Sequence, residues 1–192
     1  MNELADASRY LIPAFWVVWL TGWMLAAFGT KRTQWRESTP AAIWNRGPVI
    51  LGTAMLVLPQ WLPAVLTYRF VPRGPALPVI GLVLTLLGLL FAGWARIHLG
   101  GNWSSTVTVK EDHTLITSGP YRWVRHPIYS GMVAALIGTA LAIGAAYGFI
   151  ATGLILLGFV VKLKVEEERM RETFPEYDDY ARHTARLIPG VF

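Results

Sequence analysis

The chain has no cysteine among its 192 residues. That excludes disulfides, thiolate metal sites, iron–sulfur clusters and a cysteine nucleophile. Charge is scarce as well. Asp, Glu, Lys and Arg make up 15% of the chain, against roughly 25% in an ordinary soluble domain. The four histidines, His98, His113, His126 and His183, show neither an i,i+4 pairing nor an HExxH pattern, so no metal site is expected. Neither a GxGxxG fingerprint nor a P-loop occurs, which leaves nucleotide sites of those two kinds without support. No Asp or Glu falls inside an apolar run, which disfavours proton-coupled transport. There is no internal repeat.

What the chain does have is apolar length. Hydrophobic residues account for 54% of it, gathered in long blocks. A soluble domain of this size cannot bury so much apolar surface. The reading is an all-α, polytopic membrane protein forming one membrane domain over 1–192. The 17 basic residues against 12 acidic ones give a net charge of +5. In so apolar a chain this reads as charge flanking membrane helices, not as a nucleic-acid surface.

About five spanning helices are expected. Residues 10–29 make the first; too few basic residues precede it, and its apolar run is too long, for a signal peptide. Residues 47–68 make the second, interrupted by Pro59 and Pro63, which membrane helices tolerate when neighbours re-satisfy the backbone. Residues 76–97 make the third. The block 128–161 exceeds one span of ~30 Å and is read as a two-helix hairpin turning near Gly144–Tyr147. Gly131, Ala135, Gly138 and Ala142 line one stripe of it, which suits close helix packing in lipid. The chain thus divides into three N-terminal helices over 10–97 and a polar-ended part over 98–192.

Placing the N-terminus outside puts 14 of the 17 Lys and Arg residues on the side that carries 31–46, 96–126 and 162–192. By the positive-inside rule that side is cytoplasmic. Any chemistry must come from the polar pieces 98–127 and 162–192, both on that face.

In the first piece, Ser118-Gly119-Pro120 is a turn signal. His126-Pro127 marks a helix start, with proline at the first helical position. Arg122, Arg125 and His126 crowd the positive end of that helix, a natural anion site. Tyr121, Trp123 and Tyr129 add aromatic surface, which also flanks many spanning helices. In the second piece, Glu166-Glu167-Glu168 follows Lys162 and Lys164. Glu167 and Arg171 are spaced for an i,i+4 pair, and Phe174, Tyr177 and Tyr180 offer an apolar face. Either this is a solvated charged helix, or the carboxylates serve a cationic ligand. A ligand with a carboxylate, an ammonium and an aromatic base would match both pieces.

HTLITSGPYRWVRHPIYSG at 113–131, EEERMRETFPEYDDY at 166–180 and RLIPG at 186–190 resemble the isoprenylcysteine carboxyl methyltransferase family and the related phospholipid N-methyltransferases. The resemblance covers about residues 76–192. It implies a membrane methyltransferase that uses S-adenosyl-L-methionine, bound at the cytoplasmic membrane edge under a C-terminal helical tail. Carried over by position, His113, Thr114, Leu115 and Ile116 correspond to the adenosine-lining stretch and Tyr121 to a cofactor contact. His126, Pro127, Ile128 and Tyr129 correspond to the helix-start block around the amino-acid part. Glu166 corresponds to the carboxylate for the ammonium, with Glu167 its neighbour.

Lys162 stands at the substrate-side position, where the family typically has Arg. Lysine neutralises an acceptor carboxylate but lacks the bidentate fork. Thr106 replaces a polar amide seven residues before His113, and FPEYDDY is one residue shorter than the usual tail. The expected partners are the bilayer and a lipophilic or prenylated acceptor, with no nucleic acid and no metal. The catalytic candidates are Glu167, His126 and Lys162. For a carboxylate acceptor no base is required; for an amine, Glu167 or His126 would serve. The competing readings are a phospholipid ethanolamine N-methyltransferase, an NADPH-dependent sterol-type reductase and a membrane scaffold.

Overall fold

Uncharged apolar runs become long helices because lipid leaves every backbone polar group to be satisfied within the chain. The computed structural model describes residues 3–28, 33–36, 39–72, 74–103, 108–110 and 114–190. Five long helices carry the fold: α1 (Glu3–Ala27), α2 (Thr39–Val57), α4 (Ala76–Leu99), α5 (Pro127–Ile143) and α6 (Ala146–Thr173). A one-turn α3 (Ala64–Thr67) follows α2, and a short tail helix, α7 (Tyr177–His183), follows α6. Strands β1 (Thr33–Arg36) and β2 (Thr108–Lys110) pair as an antiparallel ribbon. Among the described residues the architecture is all-helical apart from that ribbon. α1, α4 and α6 are long and apolar enough to cross a bilayer, and the shorter apolar helices Arg46–Val57 and Pro127–Ile143 accompany them. The chain is a multi-pass integral membrane protein.

The expected hairpin is present. α5 starts at Pro127, and α6 begins three residues after α5 ends, at Ala146. Gly144 closes α5 in the left-handed conformation, φ 66°, which glycine adopts without steric cost. Arg69 Nη1 donates to the Ile143 carbonyl at 2.7 Å and to that of Ala142 at 3.3 Å. A cation thus meets the negative end of the α5 dipole.

Two boundaries differ from the sequence reading. The first helix begins at Glu3, not near residue 10, taking in Asp6 and Arg9. The second starts at Thr39 and stops at Val57. Pro59 opens a separate 3-10 turn and Pro63 precedes α3. These prolines end the helix instead of kinking it, since each lacks the N–H that would continue the hydrogen-bond ladder.

The small-residue stripe of α5 packs antiparallel on α4. A Cβ on Gly81, Gly88, Gly131 or Gly138 would collide with the backbone of the facing helix: Gly81 opposes Gly138, and Gly88 opposes Gly131. Thr85, fully buried beside this seam, donates to the Ala135 carbonyl at 3.2 Å. α1 leans on the α4–α5 pair through Trp16 Nε1 to Thr139 Oγ1 and Trp19 Nε1 to the Leu89 carbonyl, both at 3.0 Å. α2 packs on α6, where a Cβ on Gly52 would strike the Ala151 carbonyl.

The connections sort into two ends. The ribbon joins the α1–α2 and α4–α5 connections, and a bridge between Val124 and Ala185 brings the tail to the same end. At the other end, Arg69 bridges to Ala145 in the α5–α6 turn. This is the grouping that the Lys and Arg distribution predicts.

Candidate functional site

Proline at the first turn of α5 leaves His126 as the N-cap, with φ −126° and ψ 60°. Its ring thereby lies between two consecutive carboxylates of α6. His126 Nε2 is 3.2 Å from Glu167 Oε1, and Nδ1 is 4.0 Å from Glu166 Oε2.

The two glutamates have different surroundings. Glu167 is 1% exposed and surrounded by cations. Arg125 Nε donates to it at 3.1 Å, Arg186 Nε at 3.0 Å and Arg186 Nη2 at 2.6 Å, while Arg171 Nη2 stands 3.5 Å away. Both carboxylate oxygens are engaged, and charge-assisted bonds of this kind are the strong ones. The expected Glu167–Arg171 pair is therefore one part of a larger knot. Glu166 is a quarter-exposed group whose Oε2 is buried without a hydrogen-bond partner among the described residues.

The knot ties down the tail. Arg125 Nη1 donates to the carbonyls of Ala181 and Thr184, and the Arg125 and His126 amides donate to the carbonyls of Ala185 and Arg186. Ser130 Oγ donates to the Leu187 carbonyl at 2.6 Å, and Tyr180 Oη to the Tyr121 carbonyl at 2.6 Å. The Arg186 guanidinium is held further toward its charged form by its bonds to Glu167.

Beneath the tail lies a cavity of about 350 Å³. Thr114, Leu115, Ile116, Tyr121, His126, Ile128, Tyr129, Lys162 and Glu166, all expected at the site from sequence, line it together. His113 lies outside the described residues. Pro127 is buried and does not border the cavity, because its ring packs inward while its backbone sets the start of α5. Glu167 does not border it either; its cationic neighbours enclose it. Arg122, expected at the anion end, is exposed, with its guanidinium 5.8 Å from the Trp123 ring centroid.

Several lining residues were not singled out from sequence: Trp19, Leu20 and Trp23 of α1, Trp103, Met132, Phe159 and Met170; Tyr177 and Tyr180, offered there as part of an apolar face, also line it. Trp19 stacks on Trp23 at 4.5 Å between ring centroids, and Trp23 meets Trp103 edge-on at 5.1 Å. Arg96 anchors this wall. Its guanidinium lies 4.5 Å from the Trp103 ring centroid, and it donates to the carbonyls of Ala26 and Gly100 at 2.8 and 2.9 Å. Nothing in the periodicity of α1 marks its tryptophans as cavity residues.

The lining is graded. Glu166 and the tail lie at the polar end of α6. Lys162 is one helical turn further in, with Nζ 5.6 Å from the Tyr129 ring centroid. Phe159, Met132 and Leu20 give the remainder an apolar wall. Burial, and for Tyr121 also the nearby Glu166 charge, pushes the phenols of Tyr121 and Tyr177 up, and Tyr180 rises to about 12. All three are therefore neutral hydroxyls at physiological pH.

The donor set fits the cofactor expected from the sequence. A cationic donor group is the natural complement of a buried carboxylate oxygen that lacks a partner, because leaving such an atom unmet costs more than ~1–3 kcal/mol. The aromatic and aliphatic wall suits a flat base. Among the described residues no cluster of His, Asp and Glu could hold a metal ion.

The chain is similar to several known proteins. A probable protein-S-isoprenylcysteine O-methyltransferase of Oryza sativa subsp. indica is 31% identical over 116 residues, 58% of this chain and 61% of the relative. The cobalt-zinc-cadmium resistance protein CzcN of Cupriavidus metallidurans is 31% identical over 120 residues, 60% of this chain and 49% of that protein. The chain spans about half to three-fifths of the length of these relatives. A solved structure of the eukaryotic intramembrane Ras methyltransferase ICMT aligns at 24% identity with a TM-score of 0.48, covering 80% of this chain and 52% of that one. Residues 79–172, from α4 through nearly all of α6, match the family model of isoprenylcysteine carboxyl methyltransferases.

Proposed function

We propose that the protein is an integral-membrane, S-adenosylmethionine-dependent methyltransferase. Its acceptor is a lipophilic molecule ending in a carboxylate, of the isoprenylcysteine kind, methylated at the cytoplasmic membrane face. The observation that carries this reading is the orphaned, buried Glu166 oxygen on a cavity whose other walls are aromatic and aliphatic.

When bound by the residues named below, S-adenosylmethionine would supply an activated methyl group on a sulfonium for transfer to an acceptor oxygen. The protein's own residues then have three tasks. Glu166 accepts hydrogen bonds from the ammonium of the amino-acid part, with the His126 ring beside it. Thr114, Leu115, Ile116 and Tyr121 give the base a surface, and Ile128 and Tyr129 complete the wall. Lys162 holds the acceptor's carboxylate, and Phe159, Met132 and Leu20 receive its apolar body. A carboxylate is ionised at neutral pH, so no base is required. Catalysis is then positioning and exclusion of water, the latter served by the tail. In this scheme Glu167 holds His126 and the tail in place and does not act as a base. The N-terminal helices and the C-terminal part work as one membrane domain, since α1 contributes Trp19, Leu20 and Trp23 to the wall.

The test uses the purified full chain in detergent with methyl-labelled S-adenosylmethionine and two acceptors: an S-farnesylcysteine analogue and phosphatidylethanolamine. The expected result is a base-labile methyl ester on the first. Label only in phosphatidylethanolamine would replace the acceptor with an amine. Thermal stabilisation by NADPH and none by S-adenosylhomocysteine would replace the methyltransferase with a reductase. A bound ligand at 100 times its Kd adds about 2.7 kcal/mol, an easily read shift.

A further inference from the structure

Two residues that line the cavity carry a buried polar side-chain atom without a partner among the described residues. One atom is Glu166 Oε2, already used above; the other is the hydroxyl of Tyr177. Tyr177 is the first residue of α7 and is only 2% exposed. Its ring is well packed: the Arg171 guanidinium lies 5.7 Å from its centroid, and Tyr180 meets it edge-on at 6.0 Å. The ring thus has a structural explanation and the oxygen has none.

A buried hydroxyl without a partner destabilises the protein that carries it. Phenylalanine would fill the same space without that cost. An oxygen retained there has a use when something else completes its hydrogen bond. Because the atom is shut off from water, the partner must pack against the tail. The hydroxyl is neutral and keeps its proton, so it can donate to an acceptor such as a carboxylate.

We propose that Tyr177 is a cofactor-binding residue whose hydroxyl donates to the carboxylate of the amino-acid part of S-adenosylmethionine. This rests on the methyltransferase reading and deepens it. Glu166 takes the ammonium and Tyr177 the carboxylate, two groups carried on one carbon of the ligand. α6 supplies the first contact and the tail supplies the second. The tail is therefore part of the binding site, and its docking responds to the amino-acid part of the ligand.

The experiment compares wild type with Tyr177→Phe in the intact chain. Calorimetry measures two ligands, S-adenosylhomocysteine and its decarboxylated analogue, which keeps the ammonium and the base. In Tyr177→Phe the affinity for S-adenosylhomocysteine falls about tenfold or more, while affinity for the decarboxylated analogue is unchanged. The ligand-free variant melts at the same temperature or higher, since an unmet hydroxyl is gone. Equal affinity of both proteins for S-adenosylhomocysteine overturns the assignment and leaves the methyltransferase reading standing. Equal losses for both ligands overturn it too, because the contact would then not involve the carboxylate. If wild type binds neither ligand, the methyltransferase reading falls and takes this assignment with it.

Discussion

Helix α5 is held by opposite means at its two working surfaces. Along the bilayer it meets α4 through missing side chains, with Gly131 and Gly138 set against Gly88 and Gly81. At its first turn it meets α6 and the tail through charge, with Arg125 and His126 on Glu167, which also holds Arg186. Lipid tails give no hydrophobic drive for helix association, so the first surface depends on close backbone approach. The second lies at the membrane edge, where desolvation is partial and ion pairs with full hydrogen bonding are stable. The seam has no room to adjust. The knot is made of long side chains and a tail, the kind of element that can open and close around a ligand.

Breaking the seam should have the largest effect. Gly88→Leu places a side chain where the Gly131 carbonyl already lies, so α4 and α5 cannot close. The expected outcome is no monodisperse protein on size exclusion. Gly22→Leu is the control, since a Cβ there meets nothing within 4 Å, and it should behave as wild type.

Breaking the knot comes next. Glu167→Ala leaves Arg125 and Arg186 facing each other without their shared anion, which should cost about 3–5 kcal/mol in reversible unfolding in detergent or bicelles. The tail should then be cut by trypsin at Arg182 and Arg186 much faster than in wild type.

A smaller and more selective effect is expected at Lys162. Lys162→Ala should raise the acceptor KM by tenfold or more while shifting S-adenosylhomocysteine affinity less than twofold; equal losses in both would remove its proposed role. The smallest effect belongs to the knot's outer arm. Arg171 is two-fifths exposed and 3.5 Å from Glu167, so Arg171→Ala should cost less than about 1 kcal/mol, shrinking further in high salt.

Much of this was legible in the sequence wherever local rules decide. Proline after His126 fixed the start of α5, glycine at 144 its end, and the small-residue stripe its seam. The cavity residues between 114 and 129 and on α6 came from a motif that keeps them close along the chain. What could not be read is long-range. Arg186 and Arg125 lie 19 and 42 residues from Glu167, and no periodicity links such partners. The tryptophans of α1 look like any lipid-facing aromatics until α4 and Arg96 turn them toward the cavity. The second helix was misjudged because Pro59 and Pro63 can either kink a membrane helix or end one, and only the neighbouring geometry decides. Glu167 looked chemical because it adjoins Glu166, yet successive positions on a helix point about 100° apart, here into a knot and onto a cavity.

The difference between those two carboxylates gives the most direct test. Binding of S-adenosylhomocysteine is measured by calorimetry for wild type and Glu166→Gln, with the melting temperature of each recorded without ligand. The account predicts that both proteins melt alike, because Glu166 supports no knot, and that the variant binds at least about tenfold more weakly. A Glu166→Gln protein that binds as tightly as wild type would contradict the assignment of this cavity to the cofactor's ammonium.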